Sequence, residues 1–172
     1  MKKRDFRVKL RNIFESDLTY YLKWRNNKEI FKFLGGGFDP VTKEKMEEIL
    51  LAMISNKDKN IRFTIVNEQE IPIGMIGLYK INKSKRIAEV GMYIGDIKSH
   101  GKGYANEAYQ LLEKFAKEKQ NIDIIKLYVV TSNEKAVAFW KKQGFKEDDL
   151  LIENREIGSI FHDVLVMKKH IL

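Results

Sequence analysis

The sequence predicts an α/β (α+β) fold, a mixed and mostly antiparallel central sheet of about six or seven strands containing one parallel pair, with about four helices. Three observations carry this prediction. A strand pattern over Ile87–Ile94 leads into a long amphipathic helix opened by His100-Gly101-Lys102-Gly103-Tyr104-Ala105, and the apolar run Ile124–Val130 follows. A strand, a helix and a second strand in that order form a right-handed crossover that sets the two strands parallel. Before this unit, Ile61–Val66, Ile71–Ile81 and Ala88–Ile94 form an antiparallel meander, and after it two more strand patterns, Phe145–Glu153 and Ile160–Lys168, close the chain around a turn at Glu156–Ser159.

Each element has a local cause. Phe6-Arg7-Val8-Lys9-Leu10-Arg11 alternates apolar and basic side chains, as in a strand with one buried face. Asp17, Leu18, Tyr21, Leu22 and Trp24 recur at helical spacing, and Arg25-Asn26-Asn27 ends that helix. Ile30–Leu34 is a short apolar turn before the flexible loop Gly35-Gly36-Gly37, which lacks the Lys-Ser/Thr ending of a phosphate-binding P-loop. Pro40 and Thr42 announce a helix over Lys43–Ser55, whose stripe of Met46, Ile49, Leu50 and Met53 is expected to be core. In the helix after the glycine loop, Tyr104, Ala108, Leu111, Leu112 and Phe115 face inward. The β-branched, nearly continuous apolar run Ile124–Val130 suits a strand buried on both faces. Thr131-Ser132-Asn133 caps a helix over Glu134–Gln143, which Gly144 ends.

The 172 residues and 44% hydrophobic content fit one domain spanning residues 1–172, without repeat or linker. A net charge of +8 favours an anionic partner, although much of the excess is lysine on solvated surface. The chain contains no cysteine, which excludes disulfides, thiolate metal sites and an acyl-cysteine intermediate. Met1-Lys2-Lys3-Arg4 is basic but is followed by no signal-like apolar stretch, and no run of about 18 apolar residues could span a membrane. A cytoplasmic protein is the expectation, with no membrane partner and no metal.

Gly101 and Gly103 at the mouth of a helix form a device for holding phosphate. Glycine permits close approach of the main chain, and the unpaired first-turn N–H groups and the helix dipole favour negative charge. A dinucleotide-binding oxidoreductase is disfavoured because Asn106 stands where a third small residue belongs and no acidic ribose ligand follows the next strand. A basic RNA-binding module rests on charge alone, since no interleaved aromatic and basic stretch appears, so nucleic acid is not the expected partner.

With these residues in place, the chain resembles the GCN5-related N-acetyltransferase (GNAT) superfamily, in its ribosomal-protein and spermidine acetyltransferase-like branch. Its Gln/Arg-x-x-Gly-x-Gly/Ala motif is similar to His100–Ala105, and a second signature runs from Asn133-Glu134-Lys135-Ala136 through Phe139-Trp140 to Gly144-Phe145. Leu22–Asn26 and Asp163–Met167 also resemble this branch, so the likeness covers nearly the whole chain. The resemblance implies the GNAT fold, with its parallel pair splayed at the sheet centre, and acetyl-CoA as co-substrate. It implies that the backbone of Met92, Tyr93 and Ile94 pairs with the pantetheine arm, that the loop of His100, Gly101, Lys102, Gly103, Tyr104 and Ala105 holds the pyrophosphate, and that Asn133 and Phe139 border the cofactor. The amine acceptor, a protein N-terminus, a polyamine or an amino sugar on a nucleotide, would meet Trp24, Arg25, Asn26 and Phe33. A homodimer is a further implication.

Without cysteine, direct attack of the amine on the thioester is favoured over double displacement. An alkylamine with an ordinary pKa of about 10.4 must first lose a proton. Glu89, in an otherwise apolar strand, is the candidate base; water and an ion-paired structural role for Glu89 are the alternatives. Trp140 stands where the family carries the tyrosine proposed to protonate the thiolate, and an indole N–H is no practical proton source. A catalytically silent acyl-CoA-binding relative is therefore an alternative reading. His100 replaces the customary Gln or Arg and could still donate to a phosphate.

Overall fold

The computed structural model describes residues 5–171; the basic run Met1–Arg4 and Leu172 lie outside them. In chain order the elements are β1 (Lys9–Asn12), α1 (Leu18–Arg25), α2 (Lys28–Phe31), α3 (Lys43–Ser55), β2 (Ile61–Val66), β3 (Pro72–Asn82), β4 (Ile87–Ile94), α4 (Tyr104–Gln120), β5 (Ile124–Val130), α5 (Glu134–Lys142), β6 (Lys146–Ile157) and β7 (Ile160–His170). They build one seven-stranded sheet in the order β1-β2-β3-β4-β5-β7-β6. Each neighbouring pair is antiparallel except β4 and β5, which run parallel as the crossover requires.

The sequence-based boundaries need three corrections. The apolar turn expected at Ile30–Leu34 is partly helical: Asn27 caps α2 by accepting a hydrogen bond from the Glu29 N–H at 3.0 Å, so the described residues hold five α-helices. β1 begins at Lys9 although alternation starts at Phe6, because its register partners run only from Lys9 opposite Val66 to Asn12 opposite Phe63. β6 extends to Ile157, which narrows the closing turn to Gly158 and Ser159.

Alternation along the strands sends side chains into two cores, one on each face of the sheet. Ile76, Leu78, Ala88 and Val90 pack with Ala108, Leu112 and Ala116 of α4 and with Trp140 of α5. Met75 and Tyr93, register partners on β3 and β4, turn to the opposite face and pack with Tyr21, Trp24, Phe31, Met46 and Leu50 of α1, α2 and α3. Burial of a large apolar side chain such as Leu112 contributes about 1.5–3 kcal/mol.

A buried polar cluster fixes α1 to the sheet. Asp17, 2% exposed, accepts two hydrogen bonds from the Arg11 guanidinium, both at 2.8 Å, one from the Phe14 N–H at 3.0 Å and one from the Thr64 hydroxyl at 3.0 Å. The Tyr21 hydroxyl lies 3.0 Å from the same Thr64 oxygen. Burial pushes the Asp17 carboxyl upward in pKa, but the Arg11, Phe14 and Thr64 bonds outweigh it and hold the group below its ordinary value.

The feature that opens the functional site is the shortness of the parallel pairing. β4 meets β5 only through Ile87, Ala88 and Glu89, opposite Ile124, Ile125 and Lys126. From Val90 to Ile94, β4 keeps its β3 partners on one edge and has none from β5 on the other.

Candidate active site

Two clefts meet at the free end of β4. The larger, about 910 Å³, runs between this strand and the starts of α4 and α5; Met92, Ile94, Gly101, Gly103, Asn133 and Trp140 are among its walls. The smaller, about 400 Å³, lies on the opposite face between β4 and the helices α1 to α3. Leu34, Met92 and Tyr93 line both, so the two clefts adjoin at the end of the strand.

The floor of the larger cleft carries the glycine pair expected to hold a phosphate. Gly101 and Gly103 hold φ values of +74° and +83°, in the left-handed region where an L side chain is strained. Gly103 is the N-cap of the 17-residue α4, whose first-turn N–H groups have no intrahelical acceptors. The loop is braced from outside. Arg7 donates from Nη2 to the Lys102 carbonyl and from Nε to Glu107, both at 2.7 Å, and its own backbone N–H donates to Glu107 at 2.7 Å. The Arg7 guanidinium also lies 4.7 Å from the centroid of the Tyr104 ring, whose hydroxyl donates to Glu68 at 2.9 Å. These ties hold the Lys102 carbonyl outward; Lys102 itself, unlike Gly101, Gly103, Tyr104 and Ala105, is not a wall of the cleft.

Several expected residues are placed differently from the simple reading. His100 borders the larger cleft, but its Nε2 lies 2.7 Å from the Ile94 carbonyl; an acceptor there makes Nε2 the protonated nitrogen and leaves Nδ1 for any phosphate. Asn133 caps α5, accepting from the Ala136 N–H at 3.4 Å, while also lining the cleft. Trp140 is 7% exposed, with ring contacts to Tyr109 at 5.4 Å, Phe145 at 5.2 Å and Phe139 at 4.9 Å. Its indole forms a packed wall of the larger cleft beside Phe139. Glu89 lines neither cleft; its carboxylate lies 3.1 Å from the Lys80 ammonium.

Of the four residues expected to meet the acceptor, Arg25 lines the smaller cleft, and its three expected companions do not. Trp24 is 2% exposed and packs beneath Gly95, where a Cβ would collide with the indole, so it supports β4 from within the core. Asn26 is occupied with the backbone of Val41, donating to its carbonyl at 2.9 Å and accepting from its N–H at 2.8 Å. Phe33 borders a separate groove with Ile97 and His100.

The stripe of Met46, Ile49 and Met53 expected to be core is cleft wall as well, together with Phe31, Met75 and Tyr79. Four of the six methionines, Met46, Met53, Met75 and Met92, line this cleft. These flexible, polarizable side chains give the cleft an adaptable apolar wall, and it is the fold, not any local stretch of sequence, that brings them together. The hydroxyl-bearing residues are Tyr21, Tyr79 and Tyr93. Burial raises the pKa of all three phenols, with Tyr93 well above its ordinary value against an opposing pull from Arg25. They are hydrogen-bonding groups and not bases at neutral pH.

A parallel pair that separates beside a glycine-opened helix, with a second cleft meeting it from the other face of the sheet, is the arrangement expected of an acyl-CoA-dependent transferase. Residues 7–146 match the acetyltransferase (GNAT) domain family, and the chain belongs to it. It is 31% identical over 144 residues to the acetyltransferase PseH of Campylobacter jejuni, covering 80% of this chain and 84% of that one. Its fold superposes with a TM-score of 0.87 on a spermidine N-acetyltransferase from Vibrio cholerae in complex with CoA and spermine, at 26% identity and 96% coverage of both chains. A dodecameric structure of spermidine N-acetyltransferase from Vibrio cholerae matches with a TM-score of 0.78, at 26% identity, covering 95% of this chain and 94% of that one. The protein is an acetyl-CoA-dependent N-acetyltransferase.

Proposed function

We propose that the larger cleft holds acetyl-CoA and that the smaller presents a primary amine to its thioester. The observation that carries this reading is the shared wall of Leu34, Met92 and Tyr93, which joins the two clefts at the end of β4. Acetyl-CoA supplies the acyl group and a thiol leaving group whose ordinary pKa, about 8.5, makes departure as thiolate tolerable without a strong acid. The free edge of Val90–Ile94 offers backbone groups to the pantetheine amides, the amides from Gly101 to Ala105 face the pyrophosphate, and Asn133 and Phe139 border the arm. A backbone N–H near Met92 is aimed where charge develops on the thioester oxygen. Trp140 closes the wall against water and transfers no proton.

The amine belongs to one of three classes, a protein N-terminus, a polyamine or an amino sugar carried on a nucleotide. Release of free thiol from acetyl-CoA across a panel of these classes, with mass spectrometry of the product, tests the reading. An acetylated amine with matching thiol release is the expected result, and CoA binding without product would make the protein a silent relative. A dodecameric neighbour supports self-association of this chain, with a homodimer as its simplest form.

Proton removal is assigned to water, with Glu89 held in its ion pair with Lys80. Glu89→Gln is expected to keep turnover within a few-fold and to retain the alkaline rise of the rate. A general base contributes about 10²–10⁴-fold. A hundredfold loss with a flattened pH profile would instead assign the base to Glu89.

A further inference from the structure

Arg25 carries the only full charge among the residues of the smaller cleft, whose other walls are tyrosines and apolar side chains. It sits at the C-terminal end of α1, where a cation is favoured by the helix dipole, and its guanidinium lies 4.9 Å from the centroid of Phe31. Its Nε is buried and has no hydrogen-bond partner among the described residues. A buried charged donor without an acceptor is costly, and the cost is recovered only when something brings an acceptor to it. Of the carboxylates on neighbouring elements, Asp17 pairs with Arg11, Glu29 with Lys32, Glu48 with Lys45 and Glu89 with Lys80, while Glu44 and Glu47 lie on the exposed face of α3 and none of them lines the cleft.

We propose that Arg25 selects the acceptor, binding an acid group that an apolar body joins to the reacting amine. The proposal rests on the reading of the smaller cleft as the acceptor site and gives that site a substrate class. Phe31, Met46 and Met53 cover the apolar body, and the guanidinium receives a carboxylate or phosphate, groups it matches in charge and geometry. A second ammonium in this cleft meets a cation and no carboxylate, so polycationic amines are rejected by repulsion as well as by lack of a partner.

The test is calorimetry on the CoA-saturated protein with three ligand series of equal chain length: short ω-amino acids, ω-aminoalkyl phosphates and α,ω-diamines. At least one acid-bearing series is expected to bind more tightly than the diamines by about ten- to a hundredfold, the range of a hydrogen bond to a charged group. The amino acid and phosphate arms decide which acid group is read. Arg25→Gln removes the preference, Arg25→Glu reverses it toward the diamines, and Arg25→Lys retains part of it; the Kd of CoA, measured alongside, reports the integrity of the fold. Wild-type protein that binds diamines as well as the acid-bearing amines, or that binds neither, overturns the proposal. So does a preference that persists in Arg25→Glu. Thiol release from acetyl-CoA with the tightest ligand is measured separately: tight, Arg25-dependent binding without acetyl transfer counts against the acceptor-site reading and leaves the charge selection standing.

Discussion

Asp17→Asn will destabilise the protein by roughly 3–5 kcal/mol, the cost of removing one partner from a buried ion pair. The asparagine keeps the shape and loses the charge that Arg11, the Phe14 N–H and the Thr64 hydroxyl all address, and its amide turns a donor toward at least one of these donors. Chemical denaturation reads the effect as a lower midpoint with an unchanged slope. A pH series adds a second signature. The folded Asp17 carboxyl titrates below its unfolded value, about 3.9, so its stabilising contribution is complete above that value and is lost as pH falls through the folded pKa. The wild type therefore carries an acid-labile component of stability that the variant lacks. Equal midpoints for the two proteins at neutral pH would show that the cluster is not a stabilising centre. Because the cluster ties α1 to β1 and β2, the variant also loosens the seat of Arg25.

Gly103→Val will lower kcat/KM for acetyl-CoA by about a hundredfold while the fold survives. A β-branched residue at φ +83° is strained by about 1–2 kcal/mol and shifts the loop. Its Cβ would stand 3.3 Å from Arg7 Nη2, on the brace that holds the Lys102 carbonyl. Each backbone hydrogen bond lost to a charged phosphate is worth about 1.5–3 kcal/mol, so misplacing one or two accounts for the fall. Titration of the protein with CoA gives the affinity directly, and the loss should appear there and in KM more than in kcat. Gly36→Val serves as the control, since Gly36 lies outside the left-handed region and a Cβ there meets nothing within 4 Å. Equal CoA affinity for Gly103→Val and wild type would remove the loop from phosphate binding.

The sheet was legible because its signals are local or nearly so. Alternation over Phe6–Arg11, the glycine pair before α4 and the β-branched run of β5 each announce themselves within a few residues. The four-residue α2 was missed because a single helical turn has no periodicity to read; its cause is one Asn27 cap. Of the four residues expected to meet the acceptor, only Arg25 lines the smaller cleft. Trp24, Arg25 and Asn26 are consecutive, but on a helix they point in three directions: Trp24 into the core, Arg25 into the cleft and Asn26 toward Val41. The cleft itself is assembled from α1, α2, α3, β3 and β4, and no local pattern distinguishes a methionine facing a cavity from one facing another side chain. Likewise the Arg7 brace joins residues 100 positions apart, and an arginine in an alternating strand reads as surface.

The early separation of β4 from β5 has a consequence for what can approach the protein. An open strand edge is ordinarily a hazard, because any extended chain of another molecule can pair with it. Here the open edge lies in the middle of the sheet, recessed between α4 and α5 instead of at the rim. A slender arm carrying amides can enter the slot, whereas a whole polypeptide strand, with side chains on both faces, meets Phe139 and Trp140 on the way in. The same divergence that would offer the cofactor a docking edge would thus act as a size filter against misassociation with other chains.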